Sequence, residues 1–477
     1  MRLGDAFREL LRSNAGKGGV LLLVLLVVGA VYVLTTYPLD YGTRLWSNPA
    51  VWADNPKAAP PAWVNLWQKE PKVEHQVFEA HQPNEVKEVK AGKILTYTFT
   101  LAYPYQAPPT FLAVTLGDVT YAEKPPLITL SLLRPDGKEV RLFRHAVRGP
   151  RDGEKGPFVR YHDDPLRVQL STDESTLGAV SEFLEKSYKI HADESDLGGQ
   201  IERIVFGQPT GDDKLTTEPL TGHYKVIVRA SVRGANDQVG LVRFVVGGQV
   251  YGLMGTDSIG RDLAQGLLFG LPVALAIGLI VALVSTAIGT SLGIASGYIG
   301  GRTDLLIQRA ADIVNNVPVL PLLIFMLFII GPSLFIIMFI LVAFSWPGFT
   351  IQVRSMVLHT RTSALAEAIQ SLGASRGRVM LRHILPQIAP YVLAHLIFAA
   401  PSAILSEAGL SFLGLGDPSI PTWGQILESG FRTGGVYVGY WWWIIPPGVL
   451  IILTGLTFML LSLGLEPVVN PRLRRTR

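Results

Sequence analysis

Long runs without charge bracket one extended stretch in which apolar and polar positions alternate. A helix that crosses a membrane needs about 20 apolar residues, because the hydrocarbon core is about 30 Å thick and a helix rises about 1.5 Å per residue. Residues 19–36 form the first such run, behind Arg2, Arg8, Arg12 and Lys17. No small-residue cleavage motif follows, and the run leads into Tyr37-Pro38-Leu39-Asp40, so it reads as an uncleaved anchor rather than a signal peptide. Residues 267–301 and 313–353 carry no charge. The second run is too long for one span, and Gly331-Pro332-Ser333 in its middle predicts two helices joined by a tight turn. Residues 384–406 and 441–465 complete six predicted spans, which puts both termini on one side.

Between the first two spans the period changes from that of a helix to two. Residues 93–103 alternate apolar and polar, as does 127–133, which is followed by Pro135-Asp136-Gly137 and a returning strand at 139–143. That is a hairpin signature. Residues 224–232 and 241–246 read as further strands. One helix is expected at 176–189, where Leu177, Val180, Phe183, Leu184 and Tyr188 recur near helical spacing. Many short strands with turn signals predict a β-sandwich carrying a helical insertion. The expected organisation is a segment 1–18, a span 19–36, a linker 37–67, a β-rich inserted domain 68–250, a five-helix core 251–466 and a basic tail 467–477.

Composition supports this division. Of 477 residues, 48% are hydrophobic and 17% charged, against about 25% charged in soluble domains. No cysteine is present, which excludes disulfides, iron–sulfur ligation and a thiol nucleophile. The net charge of +4 does not indicate nucleic acid, because residues 68–250 hold 25 acids and 23 bases with no basic stripe interleaved with aromatics. The excess lies at loops and ends. Fifteen bases fall on the side of the termini, including Arg302, Arg309, Arg354, Arg361, Arg376, Arg378, Arg382 and the tail arginines, against four (Arg44, Lys57, Arg261, Arg432) opposite. By the positive-inside rule both termini are cytoplasmic, residues from about 37 to 266 are extracytoplasmic, and Trp441, Trp442 and Trp443 lie at the outer interface.

Candidate chemistry is sparse within the spans. Gly289, Gly293, Gly297 and Gly301 recur every fourth residue, which predicts a smooth face for close helix packing, or a surface that re-packs during a transport cycle. Asp304, Asp312, Glu407 and Glu466 fall at or near predicted span ends and read as interfacial or capping residues. Few charges are therefore left for ion coupling inside the membrane, and energy is expected to enter from elsewhere. The chain has no G-x-x-x-x-G-K-[ST] and no H-E-x-x-H, and Gly409-Leu410-Ser411-Phe412-Leu413 fails G-x-S-x-G at its last position. The nine histidines show no metal-ligand spacing, so an enzyme is not expected.

The loop between spans four and five is the most informative. It reads Glu367-Ala368-Ile369, then Gly373, then His383-Ile384-Leu385-Pro386. Residues 363–372 suit a short helix with Leu365, Ile369 and Leu372 on one side, and Gly373 permits its break. Arg376, Arg378 and Arg382 then decorate a second short helix, and Pro386 opens the next span. An amphipathic loop lying on lipid headgroups would share these features.

The pattern resembles the EAA loop of binding-protein-dependent ABC transporter permeases, with Ile369 in place of the second alanine and His383 in place of an isoleucine. Three further segments are similar to the dipeptide/oligopeptide branch: 255–262 (Gly-Thr-Asp-Ser-Ile-Gly-Arg-Asp), 406–416 (Ser-Glu-Ala-Gly-Leu-Ser-Phe-Leu-Gly-Leu-Gly) and 465–472 (Leu-Glu-Pro-Val-Val-Asn-Pro-Arg). With Asn48-Pro49, the resemblance covers residues 1–66 and 251–477. It implies a C-type permease subunit with a type I importer-like helical core in the cytoplasmic membrane of a prokaryote. Its implied partners are a homologous B-type permease, two ATPase subunits and an extracytoplasmic substrate-binding protein. ATP and Mg²⁺ would sit on the ATPases, and no cofactor on this chain. It also implies that Glu367, Ala368, Gly373, Leu385 and Pro386, with Arg376 and His383 in the same element (residues 358–386), couple to the ATPases. The insertion at 68–250 departs from the family pattern and is expected to dock or partly enclose the binding protein, or to brace the partner permease. Peptides are the expected solute, and oligosaccharides the alternative. A membrane-anchored receptor or adhesion module working through its β-domain is the rival of another class.

Overall fold

The computed structural model describes residues 10–90, 92–210, 216–362 and 374–469. Two compact units emerge: residues 52–262, and residues 1–51 together with 263–477.

The first unit is a β-sandwich. Its strands are β1 (Gln76–Ala80), β2 (Glu85–Val89), β3 (Gly92–Tyr103), β4 (Leu112–Tyr121), β5 (Leu127–Leu133), β6 (Glu139–Ala146), β7 (Phe158–Arg160), β8 (Leu166–Gln169), β9 (Gly207–Pro209), β10 (Thr217–Pro219), β11 (Gly222–Val232) and β12 (Gln238–Val246). One sheet has the order β2-β3-β11-β5-β6; the other has β1-β12-β4-β7, with β8 also on β4. All their pairings are antiparallel. The alternation along β3 puts Leu95, Tyr97, Leu101 and Tyr103 inward. They share one core with Leu112, Val114 and Phe244 of the other sheet. The edge strand β2 is exposed throughout and carries Glu85, Lys87 and Glu88, charges that disfavour pairing with another chain. The expected hairpin forms between β5 and β6, turning at Gly137 with φ +81°.

The expected helix is α1's only counterpart in this unit of comparable length among the described residues, and with the first membrane helix designated α1 (Asn14–Thr36) it becomes α2 (Glu174–Tyr188). Asp173 caps it by accepting from the Thr176 N–H at 3.1 Å. Val180, Phe183 and Leu184 face the sandwich core. Arg134, buried at the hairpin end, ties this insertion down. It donates to the carbonyls of Ile204 (3.1 Å) and Gly207 (2.8 Å) and to the Tyr188 hydroxyl (3.0 Å), and it pairs with Asp136 at 3.1 Å.

This unit reaches beyond the expected limits of 68 and 250. The stretch expected as a linker runs alongside 251–262: Ala58 N–H donates to Asp257 O (2.7 Å), Thr256 N–H to Ala59 O (2.8 Å) and Ala62 N–H to Gly252 O (2.9 Å). The Gly255–Asp262 motif is thereby a structural clasp. The buried Asp257 carboxylate accepts from the N–H groups of Ile259 (3.0 Å) and Arg261 (2.9 Å) and pairs with the Arg261 guanidinium. Gly260 sits at φ +92°, where a Cβ would lie 2.9 Å from Trp52 O, so both conformation and space require glycine.

The second unit is helical. Its further helices are α3 (Leu263–Ile299), α4 (Gly301–Asn316), α5 (Val319–Ile330), α6 (Leu334–Arg361), α7 (Leu385–Leu410), α8 (Trp423–Arg432) and α9 (Trp441–Val469). Among the described residues, five helices are long and apolar enough to cross a membrane: α1, α3, α6, the helical stretch 376–415 that contains α7, and α9; the bent pair α4 and α5, taken as one broken span, makes a sixth. The expected third span is different. Residues 301–330 form two helices bent by 76°, and α5 alone, with 12 residues, is about 18 Å long, too short for the hydrocarbon core. Pro318 stands between them, and a proline disfavours helical backbone at the residue before it. The break at 331–333 is where the glycine and proline placed it.

The first helix packs within this unit: a Cβ on Gly19 would lie 2.7 Å from Leu461 N of α9. Two of the three tryptophans expected at an interface, Trp442 and Trp443, are buried in the unit, and only Trp441 is exposed.

Candidate functional site

The glycine face on α3 meets α6 directly. A Cβ on Gly293 would lie 2.6 Å from Val353 Cβ, and one on Gly297 would lie 2.8 Å from Val357 Cβ; at Gly289 the nearest atom is Phe349 Cδ1 at 3.0 Å. Such approach excludes any side chain at 293 and 297 without displacing α6. Gly301 does not belong to this face. It begins α4 at φ +58°, with nothing within 4 Å of a Cβ, because the chain leaves the α3 axis at Gly300.

Beyond the glycines the same helix ends are joined by polar contacts. Arg354 of α6 donates through Nε and Nη2 to the two carboxylate oxygens of Asp304 in α4, each at 2.6 Å, a bidentate pair. Ser296 of α3 donates to Asp304 at 2.5 Å, and Gln308 of α4 donates to Ser296 at 3.0 Å. Arg361 Nη1 donates to Tyr298 O (3.3 Å), placing a cation at the carbonyl end of α3, where the helix dipole favours it. Asp304, in the first turn of α4, is thus also an ion-pair partner. Glu407, near the end of α7, is buried at 3% exposure and accepts from the Ser411 hydroxyl at 2.7 Å.

The described part of the segment expected to couple, residues 374–388, packs onto this assembly. Residues Arg376–Val379 form one helical turn and Met380–Ile384 a wider turn that runs into α7. The wide turn matters for register. Val379 and Ile384 are five apart, and an i→i+5 turn keeps them on one face where an α-turn would separate them. Val379, Ile384 and Ile388 are buried together with Ile294 and Tyr298 of α3 and Val353 and Val357 of α6. Each buried aliphatic side chain stabilises by about 1.5–3 kcal/mol, so this anchoring amounts to several kcal/mol. Arg376, Arg378, Leu381 and Arg382 face outward. His383 is half-buried, Leu385 borders the cluster, and Pro386 is exposed near the start of α7.

Arg376, His383, Leu385 and Pro386 therefore share one segment with the glycine-packed helix pair beneath it. Glu367, Ala368 and Gly373, and the short helix expected at 363–372, lie outside the described residues. Reading the residues alone missed Val379, Ile384, Ile388, Asp304 and Arg354 as a working set. One signal was available: Asp304 follows the uncharged run 267–301 by three residues, and Arg354 ends the run 313–353.

Residues 289–475 match the family described as "Binding-protein-dependent transport system inner membrane component". A dipeptide transport system permease protein of Bacillus subtilis (strain 168) is 32% identical over 222 residues, 46% of this chain and 69% of that protein. The chain belongs to this permease family. A probable peptide ABC transporter permease of Sinorhizobium fredii is 36% identical over 225 residues, 47% of this chain and 76% of that one. An oligopeptide transport system permease of Haemophilus influenzae is 32% identical over 223 residues, 46% and 71% of the two chains. The family match begins at the first glycine of the packed face and takes in residues 358–386, while the β-rich unit lies wholly outside it. This chain is a membrane-embedded permease of the ABC type with an additional β-rich unit.

Proposed function

We propose that this permease is one of two homologous membrane subunits of an importer that carries peptides or similar small oligomers inward. ATP would be hydrolysed, with Mg²⁺, on two partner ATPase subunits seated against residues 358–386, and this chain would hydrolyse nothing itself. A binding protein would deliver the solute from the extracytoplasmic side, where the positive-inside distribution puts residues from about 37 to 266 and leaves both termini cytoplasmic.

The observation that carries the reading is the seating of 379–388. An outward face bearing Arg376, Arg378, Leu381 and Arg382 is joined through Val379, Ile384 and Ile388 to α3 and α6. A force applied to that face would reach helices packed at backbone distance, so closure of a docked ATPase would rotate the pair together. The β-rich unit is assigned to docking of the binding protein or bracing of the partner permease.

The test is purification of the tagged chain from its host in mild detergent, with identification of copurifying chains and ATPase activity. Glu367→Arg with Gly373→Trp is the control. Copurification of a second permease and ATPases, lost in the control, is expected. Recovery of the chain alone, without ATPase and indifferent to the loop changes, would overturn the reading and move attention to the β-rich unit.

A further inference from the structure

A cavity of about 360 Å³ lies between α3, α6 and α7. It falls within the roughly 300–1,000 Å³ of small-molecule sites. Its polar lining is Ser285 of α3, Ser345 of α6, and His395, Ser402 and Ser406 of α7, and no Asp, Glu, Lys or Arg lines it. On α7 the lining positions 395, 399, 402 and 406 recur at spacings of four, three and four, which is one helix face. They extend about 16 Å along the axis, half the hydrocarbon thickness. Polar side chains at that depth usually face protein or a water-filled path rather than lipid.

The chemistry of the lining is specific. Ser285 donates to Val281 O at 2.6 Å and Ser345 to Leu341 O at 2.5 Å. With those protons committed to their own helices, the hydroxyl oxygens are left as acceptors. The His395 ring lies flat on Phe349 of α6, with centroids 3.6 Å apart and planes 7° apart, which holds it at the cavity wall. Neutral acceptors in a row match a ligand with regularly spaced N–H donors and without an obligatory charge. A peptide main chain supplies one such donor per non-proline residue. Without a charged group in the wall, neither a terminus nor a particular side chain would be held strongly, as passage of varied sequences requires.

We infer that this cavity is an intramembrane station for the peptide main chain, with Ser285, Ser345, His395, Ser402 and Ser406 as its polar contacts. This rests on the importer reading above. The absence of cysteine makes the test direct, because single cysteines can be introduced without a background. Ser402→Cys and Ser406→Cys would be compared with Leu405→Cys, on the same helix but outside the cavity lining, in the complete importer reconstituted with its binding protein and ATP. The probe is a charged, water-soluble methanethiosulfonate, with trialanine or its N-methylated analogue as competitor. The inference expects Ser402→Cys and Ser406→Cys to react at least about tenfold faster than Leu405→Cys, and trialanine alone to slow them severalfold. Equal rates at all three positions would overturn it, as would reaction without protection or equal protection by the N-methylated peptide. ATPase stimulation by the binding protein is read on the same samples. If it persists while protection fails, only the cavity assignment falls; if no ATPase copurifies, both readings fall.

Discussion

The two units of this permease bury apolar residues to different ends. In the β-rich unit both sheets and α2 close over a single core, and the exposed edge strand β2 carries Glu85, Lys87 and Glu88. In the helical unit Phe328 is 90% exposed and Phe335 79%, on helices whose composition suits lipid. The first unit completes itself; the second leaves apolar faces for a bilayer and for other chains. Arginine and glycine change roles accordingly. Arg134 is a buried cross-link among carbonyls, whereas Arg354 pairs with a carboxylate at the helix ends. Gly260 is needed both for its backbone angle and for close approach, whereas Gly293 and Gly297 are needed for close approach alone.

The sharpest way to separate the units is Arg134→Leu. It would take the guanidinium from the carbonyls of Ile204 and Gly207, and each buried acceptor left unsatisfied costs about 1–3 kcal/mol; Asp136 would lose its ion pair but keep the Lys138 N–H and the Tyr188 hydroxyl. Hydrogen exchange should show the sheet amides of β5, β6 and α2 opening while those of α3 and α6 keep their protection. Equal loss in both units would mean that they unfold as one.

In the helical unit, Arg354→Gln should cost about 2 kcal/mol, at the middle of the range for a hydrogen bond to a charged group. The double change with Asp304→Asn should recover part of it, read as thermal stability in detergent. Additive losses would mean that the pair is not coupled. Gly293→Ala should cost about 1–3 kcal/mol through overpacking against Val353. Gly301→Ala should cost about 1 kcal/mol, from its positive φ alone. If the two glycines responded alike, close packing would not be what α3 requires at 293.

A further expected effect is a pH dependence confined to the β-rich unit. Burial lowers the His75 pKa to about 4, partly opposed by the nearby Asp54 charge, and the ring packs beside Tyr251. Its unfolded value lies near 6.5, so the unfolded state binds the proton first. Stability should be fully present above about pH 6.5 and fall as pH drops towards 4, by an amount on the order of 3 kcal/mol. His75→Gln should flatten that slope in denaturant unfolding followed through the β-sheet signal.

Much of the architecture was legible because it is written in short-range patterns. The uncharged runs found the long helices, the alternation at 93–103 found β3, and Pro135-Asp136-Gly137 found the hairpin turn. The failures share a cause. Residues 313–330 are as apolar as any span and fall within a bent pair that can count as the sixth; what the pattern did not show is the bend near Pro318. Trp442 and Trp443 were assigned by residue preference, and packing overrode it. The glycine repeat was read from its spacing as four positions, but the helix it presumed ends at Ile299, so only three share the face.

What the sequence determined by itself is therefore whatever depends on neighbours within a turn or two: which segments are apolar enough to leave water, which alternate, where glycine or proline interrupts, and which loop carries the permease motif. The tertiary structure alone decided that Asp304 meets Arg354 across 50 residues, that 52–62 runs beside 251–262, and that Val379, Ile384 and Ile388 land on α3 and α6. Those outcomes depend on the distance and direction between segments far apart in the chain. No local periodicity encodes that distance, because it is set by how the segments pack.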